Sequence, residues 1–184
     1  MLDSKERPAL WRLLIYTVPS DPSRKRAYVW RELKKVGAVY LRDGVCVLPE
    51  RGPTAATMNA IAAKIEEFGG DAIVVGGVAL ETSRAHKIVE SSNAARQQEY
   101  AEISQEAENL LKHVQRETQH RDFTFAELEE LEANLKKLRG WLEQIQARDY
   151  FGASQAAAVA ALLERCDQAV GAFMEAASDQ ESRR

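Results

Sequence analysis

The spacing of apolar residues changes near residue 80, and this change limits the folds open to the chain. Up to Ala79, short apolar runs alternate with two stretches of helical spacing. From about Ser83 to Phe151, no segment has the pattern of a β-strand. The sequence therefore predicts the α+β class, with a mixed domain followed by a helical one.

Four strands are predicted in the first part of the chain. Apolar runs at 11–16 and 72–78 predict the first and the last of them. Asp43-Gly44 lies between two further short apolar runs and predicts a hairpin. The expected turn is type I′, in which both central residues have positive φ.

Two helices are predicted between these strands. The first has Ser23 as its expected N-cap and ends at Gly37. The second begins at Thr54 and is stopped by Gly69. The resulting order βαββαβ predicts a ferredoxin-like domain over residues 1–80.

The second part is predicted to be an antiparallel three-helix domain over residues 81–178, followed by a disordered tail at 179–184. Helical spacing extends over residues 83–118, and a capping box of Thr124 and Glu127 then opens the next helix. Apolar residues of that helix recur every three or four positions, which predicts a seam along another helix. The seam consists of Leu128, Leu131, Leu135, Leu138, Leu142 and Ile145. An intramolecular core is expected, and a homodimer is the alternative.

Charge is unevenly distributed along the chain. Residues 1–52 carry 11 Lys and Arg against 6 Asp and Glu, whereas residues 53–184 carry 14 against 22. Affinity for nucleic acid or an oxyanion is therefore expected in the first third. No run is long enough to span a bilayer, the first nine residues do not resemble a signal peptide, and two distant cysteines form no disulfide framework. These features predict a cytoplasmic protein without a membrane partner.

Basic residues at the start of the first predicted helix are the candidate binding site. Free amides, the positive end of the helix dipole and three cations favour an anion there, either the phosphate of DNA or a tetrahedral oxyanion. The alternative is a solvated basic surface. The candidate residues are Ser23, Arg24, Lys25, Arg26, Arg31, Lys34, Lys35 and Arg42.

Other side chains of types that often take part in catalysis or metal binding are predicted to have structural roles. No nucleophile–base pair, carboxylate cluster or cofactor fingerprint is found, so no catalytic residue, metal or cofactor is predicted. An Arg148–Asp149 pair is expected to clamp the last turn between helices, and the alternative is that it lines a cleft. Histidines are expected at the surface, cysteines in cores, and tryptophans as packing groups in cores. These residues are His86, His113, His120, Cys46, Cys166, Trp11, Trp30 and Trp141.

The chain resembles a known family at WRLLIYTVPSDPSRKRAYVWRELKKVGAVYLRDGVCVLP and again at FTFAELEELEANLKKLRGWLEQIQARDYFG. There it is similar to the N-terminal domain of ChrB-type chromate-resistance proteins, over roughly residues 10–175. The resemblance implies a role in chromate resistance, as a DNA-binding or oxyanion-responsive regulator. Members usually carry a further C-terminal domain, which this sequence does not include.

The first strand and helix are also similar to the middle domain of the repressor PaaX and to the small CRISPR adaptation nucleases. The resemblance implies a ferredoxin-like fold. Those proteins usually carry Asp directly after the tyrosine of the first strand, where this chain has Thr17. A metal-dependent phosphodiesterase needs that carboxylate, so a regulator is favoured. A chromate-detoxifying enzyme, an inactive relic of a nuclease and a structural partner domain are the alternatives.

Overall fold

The computed structural model describes residues 10–121 and 123–182. Within them, a four-stranded antiparallel sheet and five helices confirm the α+β class. The elements are β1 (Leu10–Thr17), α1 (Ser23–Lys35), β2 (Val39–Arg42), β3 (Val45–Pro49), α2 (Thr54–Glu67), β4 (Asp71–Ala79), α3 (Thr82–His120), α4 (Phe125–Gln146) and α5 (Ala156–Glu181). The chain divides into two compact units at Ser92–Asn93, inside α3.

The sheet of the first unit is centred on β1. Its strand order is β2-β3-β1-β4, and β1 pairs antiparallel with both β3 and β4. Leu14 is fully buried opposite Cys46 and Val74, whereas the next residue, Ile15, is 41% exposed. One face of the sheet therefore meets the core and the other meets solvent.

Helices α1 and α2 form because their apolar residues recur at helical spacing. Val29 and Leu33 are the buried residues of α1, while α2 buries Met58 and Ile65 together with Ile61 and Ala62. Helix α2 packs against β1 and β4 and also contacts α1. Burial of these stripes fixes which side of each helix faces solvent.

The turn between β2 and β3 differs from the predicted type I′ geometry. Gly44 has φ of +68°, but Asp43 does not enter the positive-φ region. The strand register shifts between Tyr40 and Arg42, as expected when a bulge replaces a regular two-residue turn. The hairpin is thus confirmed, whereas the prediction of a type I′ turn was wrong.

The start of α1 also differs from its prediction. Pro22 is the N-cap residue, Ser23 is the first helical residue, and no side chain caps the helix. The carbonyl of Pro22 accepts a hydrogen bond from the backbone N of Lys25 at 3.1 Å. Ser23 is already helical, so its hydroxyl does not make the predicted cap.

The second unit is built from the later part of α3 together with α4 and α5. The predicted seam of α4 faces one core with residues of α3 and α5, so its interpretation as intramolecular core is confirmed. The largest fully buried members are Tyr100, Ile103, Leu131, Ile145 and Phe173. Helix α5 continues through Ser178 to Glu181, so the predicted tail is helical there; residues 183–184 lie outside the described part.

The two turns of the second unit are fixed by side-chain hydrogen bonds. Thr124 caps α4 by accepting from the backbone N of Glu127, whereas the predicted break residue Asp122 lies outside the described residues. Asp149 accepts from the backbone N of Gly152 and Ala153 and from the hydroxyl of Tyr100.

The predicted Arg148–Asp149 pair is replaced by two separate interactions. Asp149 clamps the turn through the three hydrogen bonds above. Arg148 instead lies 3.3 Å from Glu99 and donates to the carbonyl of Gln144 at 2.8 Å. Neighbouring residues in a tight turn point in different directions, so adjacency in sequence does not make an ion pair.

Replacing Gly44 by Ala should destabilise the first unit more than replacing Gly69 by Ala. Both glycines have positive φ, but a Cβ at Gly44 would lie 2.5 Å from the backbone oxygen of Tyr16, while one at Gly69 meets nothing within 4 Å. We expect a loss of about 1 kcal/mol for Gly69→Ala and about 2–3 kcal/mol for Gly44→Ala. Urea unfolding measures both, and equal losses would contradict the close approach at Gly44.

Candidate functional site

The basic residues predicted to bind anions lie mostly at the surface of the first unit. Seven of the eight are exposed, and Lys25 is the exception. Ser23, Arg24 and Arg26 occupy the first turn of α1, whereas Arg42 ends β2. The remaining exposed residues, Arg31, Lys34 and Lys35, lie further along α1.

Lys25 has a structural role. Its Nζ donates to the carbonyl oxygen of Phe68 at 2.8 Å and lies 5.9 Å from the centroid of the Phe68 ring. Phe68 is the C-cap of α2, where carbonyl groups lack partners and a cation is favourable. The prediction that Lys25 serves anion binding therefore has no geometric support.

Four cations of α1 form what we call the α1 basic face: Arg24, Arg26, Arg31 and Lys34. All four are exposed, and none forms a salt bridge with a described residue. Arg24, Arg31 and Lys34 lie along one side of α1, and Arg26 lies further around the helix from Arg24. Lys35 is partly neutralised by Glu32 at 2.7 Å.

A surface pocket of about 530 Å³ opens beside this face. Arg26 and Trp30 line it from α1, and the end of β1 and the β2–β3 turn complete it. The lining residues are Tyr16, Thr17, Val18, Arg26, Trp30, Tyr40, Asp43 and Gly44. Trp30 is 53% exposed, so the prediction that it belongs to a core was wrong.

Two tyrosine hydroxyls meet in the pocket. The oxygens of Tyr16 and Tyr40 lie 3.0 Å apart, and burial is the main cause that raises the pKa of both phenols. Both hydroxyls are therefore protonated at neutral pH, and because one donates to the other, one O–H of the pair is left to donate to a ligand. The pair and Arg26 are opposed by Asp43, the one carboxylate among the lining residues of the pocket.

The pocket also contains Thr17, the position at which the sequence predicts a difference from the related nucleases. Thr17 ends β1 and is exposed there. A threonine hydroxyl and the single carboxylate of Asp43 do not provide the carboxylate pair with which two metal ions are usually held for phosphodiester cleavage.

Both cysteines are buried in cores, as predicted. Cys46 is fully buried, and burial raises the pKa of its thiol to about 12. Cys166 is also fully buried, its thiol pKa is raised by burial, and its Sγ donates to the carbonyl of Ala107. Neither is a solvent-accessible thiolate at neutral pH, which is the form that reacts.

The histidines divide into two groups. His86 and His120 are exposed, as predicted. His113 is not a simple surface residue: its Nε2 lies 2.8 Å from Oε1 of Glu127 and 3.7 Å from Oε1 of Glu117. Within the described residues, this is the group of three His, Cys, Asp or Glu side chains close enough to hold a metal ion.

Part of this cluster could be found in the sequence. His113 and Glu117 are four residues apart and so share one face of α3. Glu127 was assigned to the capping box, and its backbone N does bond Thr124. The missing signal was the fold of the α3–α4 turn, which brings the Glu127 carboxylate to His113.

Membrane insertion finds no support in the helices. Across the described residues, no helix combines the length and the apolarity needed to cross a bilayer.

Ellman's reagent should label neither cysteine in the native protein at neutral pH. Burial and the raised thiol pKa of Cys46 and Cys166 leave no accessible thiolate, whereas unfolding in urea should release both thiols. The absorbance of the released thionitrobenzoate measures the number of labelled thiols per chain. Labelling of the native protein within minutes would contradict the assignment and reopen thiol-based chromate reduction.

Comparisons with known proteins give one family. The family model described as "Protein ChrB, N-terminal" matches residues 26–183, nearly the whole chain. Searches of curated proteins and of solved structures returned no match. The family match covers the α1 basic face from Arg26 onward and all of the second unit. This chain therefore belongs to the ChrB N-terminal family, which associates it with chromate resistance.

Proposed function

We propose that this chain is a regulatory protein of chromate resistance that binds DNA through the α1 basic face. The observation that carries the proposal is the exposure of Arg24, Arg26, Arg31 and Lys34 without salt bridges to described residues. Cations without protein partners can neutralise phosphates, and the release of condensed counterions then favours binding. The first turn of α1 contains no acidic residue that would oppose a phosphate.

The distribution of charge indicates which part of the chain contacts DNA. The excess of positive charge lies in residues 1–52, and residues 53–184 carry an excess of acidic groups. A polyanion is attracted to the first region and repelled by the second. This contrast supports DNA contact by the first unit.

The same proposal includes a fold assignment. The order β-α-β-β-α-β and the strand order β2-β3-β1-β4 support a ferredoxin-like first domain. The shared core of α3, α4 and α5 supports a three-helix second domain. An experimental structure in which β4 leaves the sheet would overturn the first assignment.

The pocket beside the basic face supports a second candidate function, the binding of an oxyanion effector such as chromate. Arg26 supplies charge, and the hydroxyls of Tyr16 and Tyr40 supply hydrogen bonds. Arg26 belongs to both sites, so an oxyanion there would compete with a DNA phosphate. Such competition provides a direct means by which chromate releases DNA.

A homodimer is the proposed assembly. Ile15 and Ile73 are directly paired across β1 and β4 and are 41% and 53% exposed, and Val75 on the same face is 37% exposed. A second copy of this chain would cover this apolar face, as expected for exposed apolar patches that serve association. Sedimentation analysis should show a dimer for the wild type and a monomer for Ile73→Lys. A monomeric wild type would refute the proposed dimer.

The enzyme alternatives receive less support. Thr17 and a lone Asp43 argue against a nuclease, and the buried thiols of Cys46 and Cys166 argue against thiol-based reduction. Incubation with Mg²⁺ or Mn²⁺ and labelled DNA should leave the DNA intact. Cleavage that disappears in Asp43→Ala would contradict the proposal.

Removing Arg24 and Arg31 together should weaken DNA binding and reduce its salt dependence. Each phosphate neutralised contributes about 0.9 to the slope of log K against log salt, so the double Ala variant should flatten the slope by about 1–2. Fluorescence anisotropy with duplex DNA at several salt concentrations measures it.

The matched control for this experiment is Lys136→Ala with Lys137→Ala, which removes the same charge from an exposed part of α4. The control should keep the wild-type slope. Equal slopes for wild type and the Arg24/Arg31 variant would refute the α1 basic face, and an effect confined to the control would move DNA contact to the helical unit.

Chromate should bind the pocket more weakly in Arg26→Gln and in Tyr40→Phe. Arg26→Gln removes a charged donor, which is worth about 1.5–3 kcal/mol, or about tenfold or more in affinity, and Tyr40→Phe removes one hydroxyl of the hydrogen-bonded pair. Titration calorimetry with chromate, and with sulfate as a second tetrahedral oxyanion, measures it. Lys136→Gln is the control, and equal affinities in all variants would exclude this pocket.

A further inference from the structure

The cluster of His113, Glu117 and Glu127 lies where the end of α3 meets the first turn of α4. His113 and Glu117 project from one face of α3, and Glu127 comes from α4. One ligand atom from each residue lies within 4.8 Å of the other two. Three potential ligands from two helices therefore converge at one point of the second unit.

The distances suit a common cation. Two donors held about 2.1 Å from one metal lie about 3.0 Å apart at a right angle and about 3.4 Å apart at a tetrahedral angle. The Nε2 atom of His113 lies 2.8 Å from Glu127 and 3.7 Å from Glu117. Small side-chain rotations would bring both carboxylates to ligand distance.

The carboxylate of Glu127 has an unsatisfied atom inside this cluster. Its Oε1 is buried and accepts no hydrogen bond within the described part of the chain. The imidazole Nε2 of His113 lies 2.8 Å away as an ion-pair contact that does not have the geometry of a hydrogen bond. A buried acceptor without a donor is costly, and a bound cation would satisfy it.

The charges of the cluster favour the binding of a cation. Glu117 is 9% exposed in its side chain, and Arg116 binds its Oε1 at 2.6 Å. Glu127 is 17% exposed, and apart from His113 no cation pairs with it among the described residues. One Arg therefore faces two carboxylates, and the cluster keeps an excess negative charge when His113 is neutral.

We propose that His113, Glu117 and Glu127 bind a divalent first-row transition metal ion and so brace the α3–α4 turn. One imidazole nitrogen with two carboxylate oxygens is a donor set typical of Zn²⁺, Mn²⁺ or Fe²⁺ and less suited to Cu⁺ or iron–sulfur clusters. The site is separate from the α1 basic face and does not depend on DNA or oxyanion binding.

The test uses the full chain without a purification tag, with Zn²⁺ and Mn²⁺ alone as probes. Competition with a chromogenic chelator should give about one Zn²⁺ per chain for the wild type. His113→Gln and Glu127→Gln should each weaken binding about tenfold or more, because each removes a ligand but retains the side chain's approximate size. Circular dichroism confirms that each variant is folded.

A second measurement separates a ligand from a merely structural residue. Metal that binds only the folded state raises the melting temperature with concentration. Zn²⁺ should therefore raise the melting temperature of wild type but not of His113→Gln. His120→Gln and Glu129→Gln, which change exposed residues near the cluster, are the matched controls and should behave as wild type.

Three outcomes would overturn the proposal. The first is a wild type that binds neither ion at about micromolar concentration. The second is metal affinity that is unchanged in both cluster variants. The third is loss of binding in His120→Gln, which would place the ion on surface histidines.

Discussion

The structure of the first unit depends on one strand, β1, being hydrogen-bonded on both of its sides. Leu14 is buried between Cys46 of β3 and Val74 of β4, and the pairing continues to Thr17. At the end of this strand the backbone N of Tyr16 donates to the carbonyl of Gly44 at 2.7 Å. That contact holds the β2–β3 turn against β1 and thereby shapes the pocket. Without the double pairing, neither the pocket nor the start of α1 would have a fixed position.

The proposed function depends on the cations of α1 that are not part of this core. Val29 and Leu33 face inward, so Arg24 and Arg31, which lie on the opposite side of the helix, face solvent. Lys25 is used to cap α2 instead. Arg26 lies on the side of Val29, but in the first turn of the helix, where it is exposed and lines the pocket with Trp30.

Local patterns predicted the elements well, and contacts between distant residues were missed. The helices and strands follow from spacing and from glycines such as Gly37 and Gly44, which require no knowledge of the fold. The role of Lys25 depends on Phe68, 43 positions later, and no local pattern indicates it. His113 and Glu127 meet across a turn in the same way. Charge predicted the region of the candidate site, but not which of its cations are already engaged with other residues.

Crosslinking tests the central claim, that DNA contacts the α1 basic face, most directly. The full chain would be photo-crosslinked to duplex DNA from upstream of its own coding sequence, and the attached residues would be identified by mass spectrometry. The account predicts crosslinks within residues 23–42, centred on α1, that are lost on addition of a competing oxyanion. Crosslinks confined to α4 or α5, with none in α1, would contradict it.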